Sequence, residues 1–143
     1  MIKEIWFDMD GTIADLYGVD GWLDDIKNER ADAYINARPL LNLQSFARIL
    51  NRLARNDYEI GIVSWTARDS SDEYAEIVEE AKRKWLSKHL ASVHFSHIDI
   101  IAYGTPKQIG RNGILFDDEE RNRTSWNGIA YDVDNILEIL RGM

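Results

Sequence analysis

Two aspartates stand two residues apart in the segment Asp8-Met9-Asp10-Gly11-Thr12. Alternation along an extended chain would aim both carboxylates toward one reacting group or one metal ion. Two close carboxylates repel each other, so burying them without a cation raises the pKa of one. This suits a division of labour between an ionised nucleophile and a proton donor. Gly11 would let the backbone approach a ligand and Thr12 adds a hydroxyl, although an acidic turn that caps a helix explains the same residues.

A second acidic group, Asp117-Asp118-Glu119, follows another apolar segment. Three successive acids that face one site need a hard cation beside them. Oxygen ligands with no histidine or cysteine nearby favour Mg²⁺ over zinc. The alternative is an acidic first helical turn that the helix dipole stabilises.

Three further residues could bind an anion between these acids. Lys107 follows a Gly-Thr-Pro turn and offers a compact positive charge. Ser64 ends an apolar segment and offers a hydroxyl, and Arg68 could bind a phosphate with its planar guanidinium group. Each of the three is also common as a solvated or turn residue. The inference therefore depends on their order and placement along the chain.

The composition bounds the classes of function. The 143 residues correspond to a single domain over 1–143, and the 45% of hydrophobic residues suffice for a core. A net charge of −8 argues against a surface built to grip nucleic acid, although Arg111, Arg121 and Arg123 could form a local exception. The absence of cysteine excludes disulfides, zinc–thiolate sites and thiol nucleophiles.

Membrane attachment and secretion are not expected from the sequence. The apolar runs are far shorter than the roughly 20 residues that cross a bilayer. Lys3, Glu4 and Asp8 interrupt any signal-peptide pattern. A soluble cytoplasmic protein is the simplest interpretation.

Strands alternate with helices in the predicted order of elements. Apolar segments predict strands over 2–7, 58–63, 97–103, 113–116 and 128–131. Helical spacing predicts helices over 43–53, 74–85 and 133–140, with another starting near Glu119. Pro39 is expected in the first turn of a helix, and Ser70 with Glu73 fits a capping box.

This alternation predicts an α/β fold of three layers, α/β/α, with a mostly parallel sheet. Ligands of open α/β sheets bind outside the carboxyl ends of the strands. The polar loops after Phe7, Val63, Tyr103 and Phe116 should therefore meet at one site.

The four motifs, in order, resemble those of the haloacid dehalogenase-like (HAD) phosphohydrolases. The matching residues are Asp8-Met9-Asp10-Gly11-Thr12, Ser64, Lys107 and Asp117-Asp118. The resemblance implies a Rossmann-like fold and a phosphoaspartyl mechanism. Asp8 would be the nucleophile, and Asp10 would protonate the leaving oxygen and later deprotonate water. Ser64 would bind the transferring phosphoryl group, and Lys107 would hold both Asp8 and phosphate.

The resemblance also implies a Mg²⁺ cofactor bound by Asp8, the Asp10 carbonyl, and Asp117 or Asp118. An aspartate at position 10 is typical of phosphatases rather than dehalogenases in this family. Two other classes remain open, a catalytically silent HAD-fold binding or regulatory protein and an unrelated phosphate-accepting receiver. Receivers carry their acidic pair in a separate early loop, which the segment 8–12 does not match.

The substrate is expected to be a phosphomonoester, either a nucleotide or an oligonucleotide end. The span 38–90 is similar to the phosphatase domain of polynucleotide kinase-phosphatases, and Phe116-Asp117-Asp118 resembles small deoxyribonucleotidases. Gly11, Thr12, Trp65 and Arg68 are the candidate substrate-binding residues, and Tyr17 and Trp22 are further aromatic candidates.

Segment 16–38 is a candidate small cap, and the chain between Arg68 and Lys107 leaves no room for a large second one. The site should therefore be relatively open. Members with minimal caps often borrow a cover from another subunit, so a homo-oligomer is also considered.

Overall fold

A parallel sheet of five strands forms the centre of the molecule in the computed structural model, which describes residues 3–143. Its strands are β1 (Lys3–Phe7), β4 (Tyr58–Trp65), β5 (His97–Ile101), β6 (Ile114–Phe116) and β7 (Ile129–Tyr131). The strand order is β5-β4-β1-β6-β7, and all neighbouring pairs are parallel. Ile2, which the sequence places in the first strand, lies outside the described residues. β1 is central: the chain adds β4 and β5 on one side of it and then β6 and β7 on the other.

Three helices cover one face of the sheet. They are α3 (Leu43–Arg55), α4 (Asp72–His89) and α6 (Ile136–Arg141). Phe46 and Leu50 of α3 lie four residues apart, and both are fully buried against Phe7 and Ile60 of the sheet. This helical spacing of apolar residues is the pattern that predicts α3 from the sequence.

The other face of the sheet packs in a smaller apolar cluster. Trp6 points away from its buried neighbours Ile5 and Phe7 because side chains alternate along a strand. It packs in a cluster with Leu115 and with Trp126, which follows α5 (Glu120–Ser125). Helices on both faces of a parallel sheet confirm the predicted α/β/α architecture.

Residues 14–39 form an insert between β1 and α3. The insert contains β2 (Ala14–Asp15), a 3₁₀ turn (Leu16–Gly18), α1 (Trp22–Lys27), α2 (Asp32–Asn36) and β3 (Arg38–Pro39). β2 and β3 pair antiparallel, so the two ends of the insert lie side by side. The insert packs on α4, where Tyr74 is buried and donates a hydrogen bond from its hydroxyl to the carbonyl of Arg30 (2.8 Å).

The expected helix start at Pro39 is wrong. Pro39 lies in β3, opposite Ala14. A proline suits the edge of so short a sheet because it has no N–H to donate to a further strand. α3 begins later, at Leu43, and Asn42 caps it by accepting a hydrogen bond from the backbone N–H of Ser45 (3.0 Å).

The capping box expected at Ser70 and Glu73 is also wrong, by one residue. Ser71 caps α4 and accepts from the backbone N–H of Tyr74 (3.1 Å). The Ser71 hydroxyl donates in turn to the carboxylate of Glu29 in the insert (2.9 Å). A contact with a distant segment therefore selects the neighbouring serine, which local sequence does not reveal.

Candidate active site

A pocket of about 280 Å³ opens at the carboxyl ends of β1, β4 and β6. Most of the predicted site residues line it together, although they lie between positions 8 and 118 of the sequence. These residues are Asp8, Asp10, Ser64, Trp65, Arg68, Lys107, Asp117 and Asp118. Gly11 and Thr12 line a neighbouring cavity instead.

Lys107 joins the first acidic motif to the second. Its Nζ donates to Asp8 Oδ1 (2.9 Å) and to Asp117 Oδ2 (2.7 Å). Burial alone would lower the pKa of Lys107, but the charges of Asp8 and Asp117 outweigh it and raise the pKa. The ammonium therefore stays charged. The Thr12 hydroxyl donates to the other oxygen of Asp8 (3.1 Å), so Thr12 contacts the candidate nucleophile.

Asp117 is fully buried and both of its oxygens accept hydrogen bonds. Oδ1 accepts from the backbone N–H of Glu119 (2.9 Å). Oδ2 accepts from Nδ2 of Asn122 (3.1 Å) as well as from Lys107. The sequence does not suggest Asn122, whose side chain on α5 fixes the orientation of Asp117.

Asp118 is more exposed than Asp117 and completes an oxygen-only cluster. One carboxylate oxygen from each of Asp8, Asp117 and Asp118 lies within 4.8 Å of the other two. Burial, followed by the negative charge of Asp8, raises the pKa of Asp117 to about 6 and that of Asp118 to about 8. Such crowding is unfavourable for ionised carboxylates without a cation. A donor set of carboxylate oxygens fits Mg²⁺.

Gly11 makes room for Asp118. Its φ of +80° is a left-handed conformation that side chains other than glycine rarely adopt. A Cβ at this position would overlap the carboxylate of Asp118. The sequence predicted that the backbone at Gly11 lies close to a ligand. In the structure it lies close to Asp118, a candidate metal ligand of the same chain.

A second buried lysine, Lys82 of α4, contacts the site from the opposite side. Its Nζ donates to Asp10 Oδ2 (2.8 Å) and to Ser64 Oγ (2.7 Å). Burial raises the pKa of Asp10, the charge of Lys82 opposes this, and the charge of Asp8 adds to it. Sequence reasoning missed Lys82. The sequence does hold one signal of its burial. Tyr74, Val78 and Lys82 are spaced four residues apart, so Lys82 lies on the same face of α4 as two buried residues.

The charges of the site also fit a divalent cation. Four carboxylates and two ammonium groups are joined by the ion pairs and the acidic cluster described above, and full ionisation of these six groups would leave an excess of two negative charges. The groups are Asp8, Asp10, Asp117 and Asp118 with Lys82 and Lys107. One Mg²⁺ would balance them.

Trp65 forms one wall of the pocket. Its Nε1 donates to the carbonyl of Thr105 (2.8 Å), and its ring lies 5.0 Å from that of Tyr103. The guanidinium group of Arg121 lies 4.6 Å from the centre of the Trp65 ring, within cation–π range. Arg68 is largely exposed, and its guanidinium group lies 6.0 Å from the Tyr103 ring.

The insert supplies a second, largely apolar wall. Six of its residues line the pocket, namely Leu16, Tyr17, Trp22, Leu23, Ile26 and Tyr34. The rings of Tyr17 and Trp22 meet edge to face with centres 5.0 Å apart. The insert faces Asp8, Ser64 and Asp117 across the pocket, and the relatively open site expected from the sequence stays a prediction.

Solved structures share this fold at low sequence identity. The chain is similar to the D,D-heptose 1,7-bisphosphate phosphatase of Burkholderia thailandensis, at 12% identity and a TM-score of 0.57, over 98% of this chain and 97% of that one. It is also similar to the D,D-heptose 1,7-bisphosphate phosphatase from B. bronchiseptica, solved in complex with magnesium and phosphate. That match has 12% identity and a TM-score of 0.52, over 87% of this chain and 74% of that one.

These likenesses confirm the Rossmann-like α/β fold that the resemblance to HAD-like phosphohydrolases implies. No protein-family model and no curated protein sequence matches the chain. Within residues 3–143, every helix is too short or too polar to span a membrane.

Proposed function

We propose that this protein is a Mg²⁺-dependent phosphomonoester phosphatase that acts through a phosphoaspartyl intermediate on Asp8. The observation that carries the proposal is the position of Asp8, which accepts from the buried Lys107 and lies in one pocket with Asp10 and Ser64. A phosphate dianion repels a carboxylate nucleophile, so attack requires positive charge beside both. Lys107 supplies such a charge at Asp8.

In the first half-reaction, an Asp8 oxygen attacks phosphorus and the bond from phosphorus to the ester oxygen breaks. Asp10 gives its proton to that oxygen, so the alcohol leaves neutral. The raised pKa of Asp10 favours the protonated form that this step needs. Ser64 donates a hydrogen bond from its hydroxyl to the transferring phosphoryl group.

In the second half-reaction, the Asp10 carboxylate removes a proton from water, and the water oxygen attacks phosphorus. The bond to Asp8 breaks, inorganic phosphate leaves, and Asp10 is again protonated. The same carboxyl group therefore serves as acid and then as base.

Asp8, the Asp10 carbonyl and Asp118 are the proposed Mg²⁺ ligands. Asp118 is favoured over Asp117 because the two oxygens of Asp117 already accept three hydrogen bonds. Bound Mg²⁺ supplies charge neutralisation and orientation for the phosphoryl oxygens.

We propose a nucleotide or a nucleic-acid end as the substrate. Support comes from the aromatic residues on both sides of the pocket, Tyr17 and Trp22 on the insert and Trp65 and Tyr103 on the sheet side. Flat apolar rings suit a planar base as the leaving group. The net charge of −8 favours a free nucleotide over a long strand. The insert would then act as a small cap on a single-domain enzyme.

A phosphatase screen tests the proposal. The purified protein is assayed for phosphate release from 4-nitrophenyl phosphate, 5′- and 3′-nucleotides, a 3′-phosphorylated oligonucleotide and heptose 1,7-bisphosphate. Each assay is run with Mg²⁺ and with a chelator. We expect repeated turnover with Mg²⁺, its loss with chelator, and a preference for nucleotides. A binding protein or phosphate receiver would release no phosphate in repeated cycles, and preference for the sugar phosphate would overturn the nucleotide assignment.

A further inference from the structure

Lys82 is buried beside the reacting groups, yet it has no role in the two half-reactions. Its side chain is 2% exposed. Nζ donates to Asp10 Oδ2 (2.8 Å), to Ser64 Oγ (2.7 Å) and to the carbonyl oxygen of Trp65 (2.6 Å). An ammonium group has three N–H donors, so all of them are used. The position of Nζ is therefore fixed by three bonds to two different motifs.

The contact with Ser64 determines what the serine hydroxyl can do. An ammonium group donates and cannot accept, so Ser64 Oγ must be the acceptor in this bond. The single O–H of Ser64 is then left to donate to another group. A phosphoryl oxygen in the pocket is an acceptor of the right kind. Lys82 thus orients the serine as a donor toward phosphate.

The contact with Asp10 determines which carboxyl oxygen serves the reaction. Oδ2 accepts from Lys82 (2.8 Å), so Oδ1 is the oxygen left to exchange a proton with the leaving group and with water. Because Nζ also donates to Ser64 and to the carbonyl of Trp65, this bond fixes the orientation of the Asp10 carboxyl group.

We propose that Lys82 is a positioning residue that orients the Asp10 carboxyl group and the Ser64 hydroxyl for phosphoryl transfer. This inference rests on the proposed phosphatase function. A purely structural ion pair would hold α4 against the sheet and would affect all substrates equally. A positioning role affects most the substrates whose leaving oxygen needs a proton.

The test compares Lys82→Met with wild type on two phosphate esters. Phenyl phosphate has a poor leaving group that needs protonation, and 2,4-dinitrophenyl phosphate has a good one that does not. We expect Lys82→Met to lower kcat/KM for phenyl phosphate at least about tenfold more than for the dinitrophenyl ester, as a loss of general-acid catalysis would. Equal losses on the two esters would overturn the proposal.

Lys84→Met is the matched control because Lys84 lies on the same helix, is largely exposed and pairs with Glu80. It should leave kcat/KM for both esters unchanged.

Two alkylated forms of Lys82→Cys cover the case in which Lys82→Met does not fold. Because the chain holds no cysteine, Lys82→Cys has a unique thiol that can be alkylated in denaturant before refolding. One reagent adds an aminoethyl group, which restores an amine at this position, and the other adds a neutral carbamidomethyl group. The aminoethyl protein should regain activity on phenyl phosphate, and similar ratios of the two esters for both alkylated proteins would refute the positioning role.

The control Asp10→Asn separates this inference from the proposed function. If wild type hydrolyses neither ester, the phosphatase proposal fails and the Lys82 proposal fails with it. If Asp10→Asn shows the selective loss on phenyl phosphate and Lys82→Met does not, only the Lys82 proposal fails.

Discussion

Replacement of Gly11 by alanine should weaken Mg²⁺ binding much more than it weakens the fold. The backbone at Gly11 has a φ of +80°, and a Cβ there would overlap the Asp118 carboxylate. The carboxylate must move away, and it is a proposed metal ligand. Gly110→Ala is the matched control because Gly110 has a φ of +74° and a Cβ there would have open space for 4 Å around it.

Both substitutions destabilise the fold through backbone strain, but only Gly11→Ala is expected to weaken Mg²⁺ binding. A left-handed conformation costs a non-glycine residue roughly 1–2 kcal/mol, and both variants incur it. At a Mg²⁺ concentration about 100 times the wild-type Kd, binding stabilises the folded state by about 2.7 kcal/mol. If Gly11→Ala weakens binding about 100-fold, the same Mg²⁺ concentration stabilises that variant by only about 0.4 kcal/mol.

Thermal unfolding without Mg²⁺ measures the loss of stability from backbone strain, and the rise in Tm on adding Mg²⁺ measures metal binding. One kcal/mol shifts the Tm of a chain of this length by roughly 3–5 °C. We expect Mg²⁺ to raise the Tm of wild type and Gly110→Ala by about 10 °C, and that of Gly11→Ala by about 1–2 °C. An equal Mg²⁺ response in Gly11→Ala and Gly110→Ala would refute the argument, and no response in wild type would refute the metal site itself.

Three further outcomes are expected. Asp8→Asn should abolish phosphate release while circular dichroism stays native, because an amide oxygen still accepts from Lys107 but does not attack phosphorus; turnover near wild type would contradict the nucleophile assignment. Trp65→Ala should lower kcat/KM for nucleotides about tenfold to a hundredfold more than for 4-nitrophenyl phosphate, since base stacking on an aromatic ring is worth about 1–3 kcal/mol; parallel losses would mean that Trp65 only supports the loop. Mg²⁺ affinity should fall as the pH decreases from about 8 to about 6, because burial and Asp8 raise the pKa of Asp117 to about 6 and of Asp118 to about 8, and protons then compete with the metal; calorimetry in buffers of different ionisation enthalpy that shows no proton release at pH 7 would contradict this.

The positions of the motif loops could be predicted from the sequence because the carboxyl ends of parallel strands meet at one edge. Asp8, Ser64 and Asp117 follow apolar segments that can be recognised individually, and alternation with helices fixes their common direction. The insert was harder to predict. Its helices α1 and α2 have six and five residues, too few for a clear periodicity. The burial of Ala33 and Tyr34 on α2 depends on packing against α4.

Lys82 could not be distinguished by charge from its neighbours on α4. Glu79, Arg83 and Lys84 lie within three positions of it and are exposed or partly exposed. Its burial arises from acceptors supplied by β4 and by the loop after β1, which local sequence does not show. The environment of Trp65 was missed for the same reason, because Arg121 reaches its ring from a distant helix.

The paired ends of the insert have a consequence for how new specificities could arise or be engineered. Ala14 lies opposite Pro39 and Asp15 opposite Arg38, so the insert leaves and re-enters the core at one place. The entropy of closing such a loop grows only slowly with its length, by about 0.6 kcal/mol for each doubling. We therefore expect that segments of other lengths can replace the insert between these two short strands while the five-stranded sheet is retained. Under the proposed function, leaving-group recognition by the insert would then change independently of phosphoryl transfer at the sheet.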